Sequence, residues 1–225
     1  DFFRFGYGSF KTPYCVYDID FKTHKKTLRK KEEILGGYES ENYVSERIWA
    51  PTHDGKKLAI TLLYKKGIDL KGNNPCFLWG YGSYGATYDP WFSSNIFSLV
   101  DRGMVYARAH IRGSSFMGRK WYLDGKLKQK KNTFEDFISA GQFLANEGIT
   151  SSGKLAIYGG SAGGLLIGAV MNMAPDLCEV AIPSVPFVDV INTMLDESIP
   201  LTVSEFEEWG NPKEKDYYDY MKTYS

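Results

Sequence analysis

The segment "LAIYGGSAGGLLIGAVMNMAPDL", Leu155–Leu177, decides the fold. It starts as a short apolar run typical of a buried strand, passes through the small residues 159–163, and continues as an apolar helix that ends at Ala174-Pro175. Small residues in succession cost backbone entropy and bury little surface. The run of small residues between the strand and the helix therefore needs a structural or chemical reason.

The turn matches the pattern G-x-S-x-G, with Ser161 at its centre. A sharp strand-to-helix turn lifts this serine out of the sheet, and a bulky residue at Gly159 or Gly163 would clash there. The helix N-terminus also favours developing negative charge. The pattern predicts that Ser161 is a nucleophile; the alternative is a glycine-rich turn made only for close packing of helix on strand.

A serine nucleophile needs an oxyanion hole. The N–H of Ala162, directly after the serine, is one natural donor. The second is expected from the loop "WGYGSYG", residues 79–85, where Tyr81 offers a phenolic hydroxyl. An ordinary aromatic turn is the alternative for this loop.

The serine also needs a base, and the histidines are in the wrong order. His24, His53 and His110 all precede Ser161. Proteins in which a strand–turn–helix motif of this kind carries a nucleophilic serine have an acid and then a histidine after that serine. We therefore expect an acid and a histidine in a region beyond Ser225, and negligible activity from this part alone.

The remaining segments predict strands first and alternating elements later. Residues 1–35 contain "FFRFGYGSF", "YCVYDIDF" and "TLRKK", which are typical of a small antiparallel sheet, followed by a polar linker. "ERIWA" and "LAITLLY" flank an Asp-Gly turn and predict a hairpin. "NTFEDFISAGQFLANEG" has helical spacing, and strands alternate with helices from Leu155 onward. The fold class is therefore α/β, with a parallel sheet flanked by helices.

Composition excludes several classes of function. The chain has 225 residues, with 27 Lys and Arg against 27 Asp and Glu, so no basic excess indicates nucleic acid or an anionic membrane. No apolar run approaches membrane-spanning length. Cys15, Cys76 and Cys178 form neither a disulfide framework nor a zinc pattern. We expect a reduced, cytoplasmic protein without metal or cofactor; the start lacks an initiator Met and signal-peptide features, which predicts a trimmed chain.

Several segments resemble the prolyl oligopeptidase family of serine peptidases. They are "LWGYGSYG", "HIRG", "GRKWYLDGKL", "GGSAGGLLIGAVMNMAPDL", "VPFVDVINTMLDESIPLT", "EFEEWGNP" and "DYYDYMKTYS". "FGYGSFKTPYCVYDIDFKT" resembles the end of that family's β-propeller. The resemblance implies that residues 1–45 are the last propeller strands plus a linker. It implies that residues 46–225 are the N-terminal and central part of an α/β-hydrolase peptidase domain, incomplete at its C-terminus.

The resemblance also implies an activity and its residues. The family hydrolyses short peptides through an acyl-enzyme, here on Ser161, with Tyr81 and Ala162 as the oxyanion hole. A branch that cleaves after Arg or Lys carries acidic specificity residues at the positions of Glu205 and Glu207. Short basic peptides are thus the expected substrates, and the missing C-terminal region is the expected partner.

The specificity residues leave alternatives open. Glu205 and Glu207 share a face only if their segment is extended; otherwise it is a solvated acidic helix start capped by Ser204. Phe187 offers an apolar wall for the substrate side chain, or is plain core.

Two segments depart from the family pattern. Asp89 is expected to bind a second basic residue, although Trp91 stands where relatives can carry another acid. Ser114, Ser115 and Phe116 stand where relatives carry a glycine-rich loop that contains a glutamate.

The competing functions are a prolyl-selective or acylaminoacyl peptidase, an esterase, or a non-catalytic hydrolase-derived fragment.

Overall fold

The first three strands form a small antiparallel sheet. In a computed structural model, which describes residues 1–89 and 91–225, these strands are β1 (Phe2–Ser9), β2 (Thr12–Asp20) and β3 (Lys26–Lys31). They pair in the order β1-β2-β3. The prediction of a small antiparallel sheet near the start of the chain is confirmed.

A second, six-stranded sheet carries the rest of the described chain. Its strands are β4 (Tyr43–Pro51), β5 (Lys57–Lys65), β6 (Cys76–Trp79), β7 (Val105–Ala109), β8 (Leu155–Gly160) and β9 (Val180–Ser184), in the order β4-β5-β7-β6-β8-β9. Strands β7, β6, β8 and β9 are parallel. Strand β5 is antiparallel to both β4 and β7.

The expectation of a parallel sheet is therefore correct for four strands, and the whole sheet is mixed. The physical reason is the predicted hairpin. Gly55 takes a φ of 78° in the Asp54-Gly55 turn, which reverses the chain between β4 and β5 in too few residues for a crossover helix.

Seven α-helices accompany these sheets in the described residues. They are α1 (Ser94–Val100), α2 (Arg119–Leu123), α3 (Lys131–Asn146), α4 (Ala162–Met173), α5 (Val190–Leu195), α6 (Thr202–Trp209) and α7 (Lys215–Met221). Helix α3 confirms its predicted spacing, since Phe134, Phe137 and Leu144 are fully buried. Among the described helices, none combines the length and the apolarity needed to cross a bilayer.

The two sheets are joined by an aromatic contact. Phe10, in the β1–β2 turn, is buried and meets the Tyr106 ring edge-on at 5.7 Å between centroids. The Arg108 guanidinium lies 4.8 Å from the centre of the Phe10 ring. The small sheet is therefore packed onto the face of the larger one by an aromatic and cation–π cluster.

The parallel strands bring the predicted site loops to one edge. Strands β6, β8 and β9 end at Trp79, Gly160 and Ser184. The carboxyl ends of parallel strands meet at the same edge of a sheet, where open α/β sheets bind their ligands. The Tyr81 loop and the Ser161 turn therefore lie side by side.

Candidate active site

Ser161 occupies the strained turn between β8 and α4. Its backbone angles are φ 57° and ψ −117°, a conformation that residues other than glycine rarely adopt and that costs of order 1–3 kcal/mol. Its N–H donates to the Ser184 carbonyl at 2.9 Å, and the Gly164 N–H donates to the Ser161 carbonyl at 2.8 Å. These backbone bonds hold the turn, and the Ser161 side chain is exposed to solvent.

The two glycines of the motif are required by close backbone contact. A Cβ on Gly159 would lie 2.2 Å from the Gly163 carbonyl oxygen, and a Cβ on Gly163 would lie 2.8 Å from the Gly80 carbonyl oxygen. A Cβ on Gly160 would meet nothing closer than 3.7 Å. The turn thus tolerates a side chain at the variable position of G-x-S-x-G and excludes one at the fixed positions.

Tyr81 lies beside this turn, on the loop that follows β6. A Cβ on Gly163 would come within 3.4 Å of Tyr81 Cα and Cδ2. Burial, together with the neighbouring Tyr88, raises the pKa of Tyr81 to about 12, so its hydroxyl stays protonated and able to donate. Ala162 is the first residue of α4, and the first N–H groups of a helix have no partner within the helix. The Tyr81 ring and the N-terminus of α4 therefore lie next to the Ser161 turn.

The three histidines lie in other environments. His24 is exposed in the β2–β3 turn, and His53 Nε2 lies 2.7 Å from a carboxylate oxygen of Glu135. His110 is buried, its Nε2 is 2.8 Å from Thr61 Oγ1, and burial lowers its pKa to about 3. Each histidine therefore has a local partner or faces solvent.

Helix α6 carries the predicted acidic residues. Glu205 is half-buried, and its Oε2 accepts hydrogen bonds from the Tyr84 hydroxyl and from Trp209 Nε1, both at 2.7 Å. Phe187 packs edge-on against the Trp209 ring at 5.1 Å. Glu205 and Phe187 are therefore brought together through Trp209, within one aromatic cluster that includes Tyr84.

Glu207 does not share this face. The segment is helical, so residues two apart point to nearly opposite sides, and Glu207 is exposed. The alternative of an acidic helix start is partly correct, but the helix begins at Thr202 and the Ser204 hydroxyl donates to the Leu201 carbonyl instead of capping. The extended conformation that would pair Glu205 with Glu207 is not formed.

Glu208 lies on the same face of α6 as Glu205, although it is not among the residues predicted from the sequence. It is buried, and its carboxylate accepts from the Tyr84 N–H at 2.9 Å and from the Tyr122 hydroxyl at 2.7 Å. Lys130 Nζ lies 3.9 Å from it. An acid three residues after Glu205 in a helical segment was the signal that could have found it.

Asp89 and the unusual loop lie at the edge of this region. Asp89 is exposed, and its carbonyl accepts from Arg108 Nη1 at 2.8 Å. In the loop, Ser114 is buried with its hydroxyl on the Ile111 carbonyl at 2.8 Å, and the Phe116 ring stacks on His110 at 3.8 Å. The Ser115 N–H joins this loop to the Tyr81–Gly85 segment by donating to the Gly85 carbonyl at 3.1 Å.

One cluster of potential metal ligands occurs in the described residues, formed by His53, Asp54 and Asp136. The fully buried Arg112 already pairs with both of its carboxylates. The guanidinium of Arg112 donates to Asp136 at 2.6 Å and to Asp54 at 2.9 Å. A divalent cation would have to displace this arginine, so the chemistry of these residues is that of a structural ion pair.

Comparison with known proteins gives the family of the chain. The family model described as "Prolyl oligopeptidase family" matches residues 90–225. The chain belongs to the prolyl oligopeptidase family. It is 52% identical to dipeptidyl aminopeptidase BI of Pseudoxanthomonas mexicana and 45% identical to protease 2 of Moraxella lacunata, over 100% and 97% of its own length.

Solved structures extend the comparison. Oligopeptidase B from Leishmania major matches the whole chain with a TM-score of 0.93 and 50% identity, and the match covers 31% of that protein. Oligopeptidase B from Trypanosoma brucei, solved with covalently bound antipain, gives the same TM-score and identity. The chain spans about a third of the length of these relatives.

Proposed function

We propose that the protein is a serine oligopeptidase that hydrolyses short peptides on the C-terminal side of Arg or Lys. The observation that carries the proposal is the exposed Ser161, held at a φ of 57° beside the Tyr81 loop. That loop is itself bonded to the carboxylate of Glu205 through Tyr84. A nucleophile, an oxyanion donor and an anionic specificity group thus belong to one connected unit.

The proposed reaction proceeds in two steps. Ser161 Oγ attacks the peptide carbonyl while its proton passes to a histidine of the C-terminal region, which an acid orients. The carbonyl oxygen becomes an oxyanion that accepts from the Ala162 N–H and the Tyr81 hydroxyl. The histidine then gives the proton to the leaving amine, which departs. In the second step the same histidine takes a proton from water, the water oxygen attacks the acyl-enzyme, and the proton returns to Ser161 Oγ as the acid is released.

Glu205 is the proposed partner of the basic side chain that precedes the cleaved bond. A charge-assisted hydrogen bond contributes roughly 1.5–3 kcal/mol, or about ten- to a hundredfold in selectivity. Phe187 provides an apolar wall for the stem of that side chain. Glu207 adds negative charge without a direct contact, and Asp89 is the proposed acid for a second basic residue.

We also propose a domain organisation and a cellular location. Residues 1–45 form the last strands of a β-propeller plus a linker, and residues 46–225 form the N-terminal and central part of an α/β-hydrolase domain; strand β4 begins three residues before that boundary. The strand order and the G-x-S-x-G turn support the hydrolase assignment. Three free cysteines support a reducing, cytoplasmic location.

Steady-state kinetics on the full-length protein tests this function. Peptide substrates that differ only in the residue before the leaving group, with Arg, Lys, Pro or an acylated neutral residue, are compared. We expect a preference for Arg and Lys that Glu205→Gln removes by raising KM. Glu207→Gln is the matched control, with an effect severalfold smaller. A preference for Pro or acylated residues, or equal effects of Glu205→Gln on basic and neutral substrates, would contradict the proposal.

A further inference from the structure

The carboxylate of Glu205 is held by one of its two oxygens. Its Oε2 accepts from the Tyr84 hydroxyl and from Trp209 Nε1, each at 2.7 Å. A carboxylate oxygen has two lone pairs, so Oε2 is fully used. Among residues 1–89 and 91–225, no hydrogen bond reaches Oε1, and no Lys or Arg lies within salt-bridge distance of Glu205.

Tyr84 contacts both acidic residues on this face of α6. Its hydroxyl donates to Glu205, and its backbone N–H donates to Glu208 Oε1 at 2.9 Å. The residue has a φ of 60°, and this left-handed conformation is uncommon for a large side chain. Its ring also meets Trp209 edge-on at 5.8 Å. The strained backbone is thus compensated by contacts that all lead to one helix.

The loop that carries Tyr84 is held by the buried side chain of Lys130. Lys130 is buried, and its Nζ donates to the Gly82 carbonyl at 2.6 Å and to Ser83 Oγ at 2.7 Å. The same ammonium lies 4.8 Å from the centre of the Trp209 ring. Residues 82–84 therefore have a fixed position relative to α6. Tyr81, the proposed oxyanion donor, directly precedes them on the same loop.

We propose that Tyr84 is a positioning residue for substrate specificity. Its phenol holds Glu205 in one orientation, so that Oε1 is presented to the guanidinium or ammonium group of the substrate. It also links this cation site rigidly to the loop that carries Tyr81. The inference rests on the proposed function of Glu205. A pre-oriented carboxylate saves the ordering cost of a flexible side chain on binding, which corresponds to about a three- to tenfold gain in affinity.

The test compares two substrates of nearly equal shape on the full-length protein. One has arginine before the leaving group, and the other has citrulline, its uncharged analogue. Tyr84→Phe removes the hydroxyl and keeps the ring on Trp209. We expect it to raise KM for the arginine substrate about three- to tenfold, with kcat and the citrulline kinetics unchanged. Tyr122→Phe is the matched control, because it removes an equally short bond to Glu208; we expect it to leave the arginine-to-citrulline ratio unchanged.

The outcomes separate this inference from the proposed function. If Glu205→Gln removes the arginine preference and Tyr84→Phe does not lower it, the role of Tyr84 is refuted and the function of Glu205 stands. If Tyr84→Phe reduces kcat equally for both substrates, or Tyr122→Phe lowers the ratio as much, Tyr84 is merely structural and the inference is again refuted. If the unaltered protein shows no arginine preference, or Glu205→Gln leaves that preference intact, both proposals fail.

Discussion

Substitution of the glycines before Ser161 tests the account of the turn. Gly159 and Gly160 are neighbours at the end of β8 and neither has a positive φ. A Cβ on Gly159 would lie 2.2 Å from the Gly163 carbonyl oxygen, where ordinary contact begins at 3.4 Å, a deficit of about 1.2 Å. A Cβ on Gly160 would have 3.7 Å of space. The same added methyl group should therefore have opposite consequences at adjacent positions.

The expected magnitudes follow from these distances. The neighbour of Gly159 is backbone and cannot rotate away, so Gly159→Ala should cost at least ~1–3 kcal/mol by overpacking. The Gly159→Ala protein should therefore melt at a lower temperature than the Gly160→Ala protein. A displacement of Ser161 near 1 Å should lower kcat/KM about a hundredfold. Gly160→Ala should change stability by less than ~1 kcal/mol, in the stabilising direction, because alanine restricts the unfolded chain.

Thermal unfolding and peptide hydrolysis by the full-length variants measure both effects. Equal losses of stability and activity in the two variants would contradict the argument, because only one of them lacks space. A Gly159→Ala protein with normal stability and turnover would show that the turn relaxes freely, and the proposed need for glycine would be wrong.

Three further predictions concern other parts of the structure. Tyr81→Phe should lower kcat about 10²–10³-fold with a smaller change in KM, measured by steady-state kinetics, because an oxyanion donor acts mainly in the transition state; an unchanged kcat would exclude the role. Burial lowers the pKa of His110 to about 3, so this imidazole binds a proton in the unfolded chain, but not in the folded protein, as pH falls below 6.5. The free energy of unfolding should therefore drop by ~2 kcal/mol between pH 6.5 and 5 from this group alone. His110→Gln should remove that part of the acid sensitivity in denaturant titrations, and an unaltered pH dependence would contradict it. Arg112→Met should destabilise the protein by ~3–5 kcal/mol, since it leaves the buried Asp136 unpaired, and Arg112→Met/Asp136→Leu should recover part of the loss; a larger loss in the double variant would be evidence against the pair.

The Ser161 turn could be predicted because it depends on local sequence. A buried strand, a run of small residues and an apolar helix leave few conformations for the residue between them. The strand order on the two sides of β8 is less local, because strands far apart in sequence pair in the sheet. The Asp54-Gly55 turn predicted the antiparallel hairpin, but the position of β4 and β5 at the edge of a mixed sheet required the structure.

The acidic face of α6 shows what sequence reasoning missed. The family resemblance implies Glu205 and Glu207, which share a face only in an extended segment, whereas the helix makes Glu205 and Glu208 neighbours. Helical periodicity over Thr202–Trp209 was present in the sequence, and it would have selected Glu208. The contacts with Tyr84 and Lys130 could not be read in the same way, because they join segments more than 70 residues apart.

Covalent labelling of Ser161 tests the central claim most directly. The full-length protein is treated with a fluorophosphonate, and the intact mass and the modified peptide are determined beside Ser161→Ala. The account predicts a single adduct on Ser161, loss of hydrolysis in step with labelling, and no labelling or hydrolysis in Ser161→Ala. An adduct on another residue, or peptide hydrolysis that survives Ser161→Ala, would contradict it.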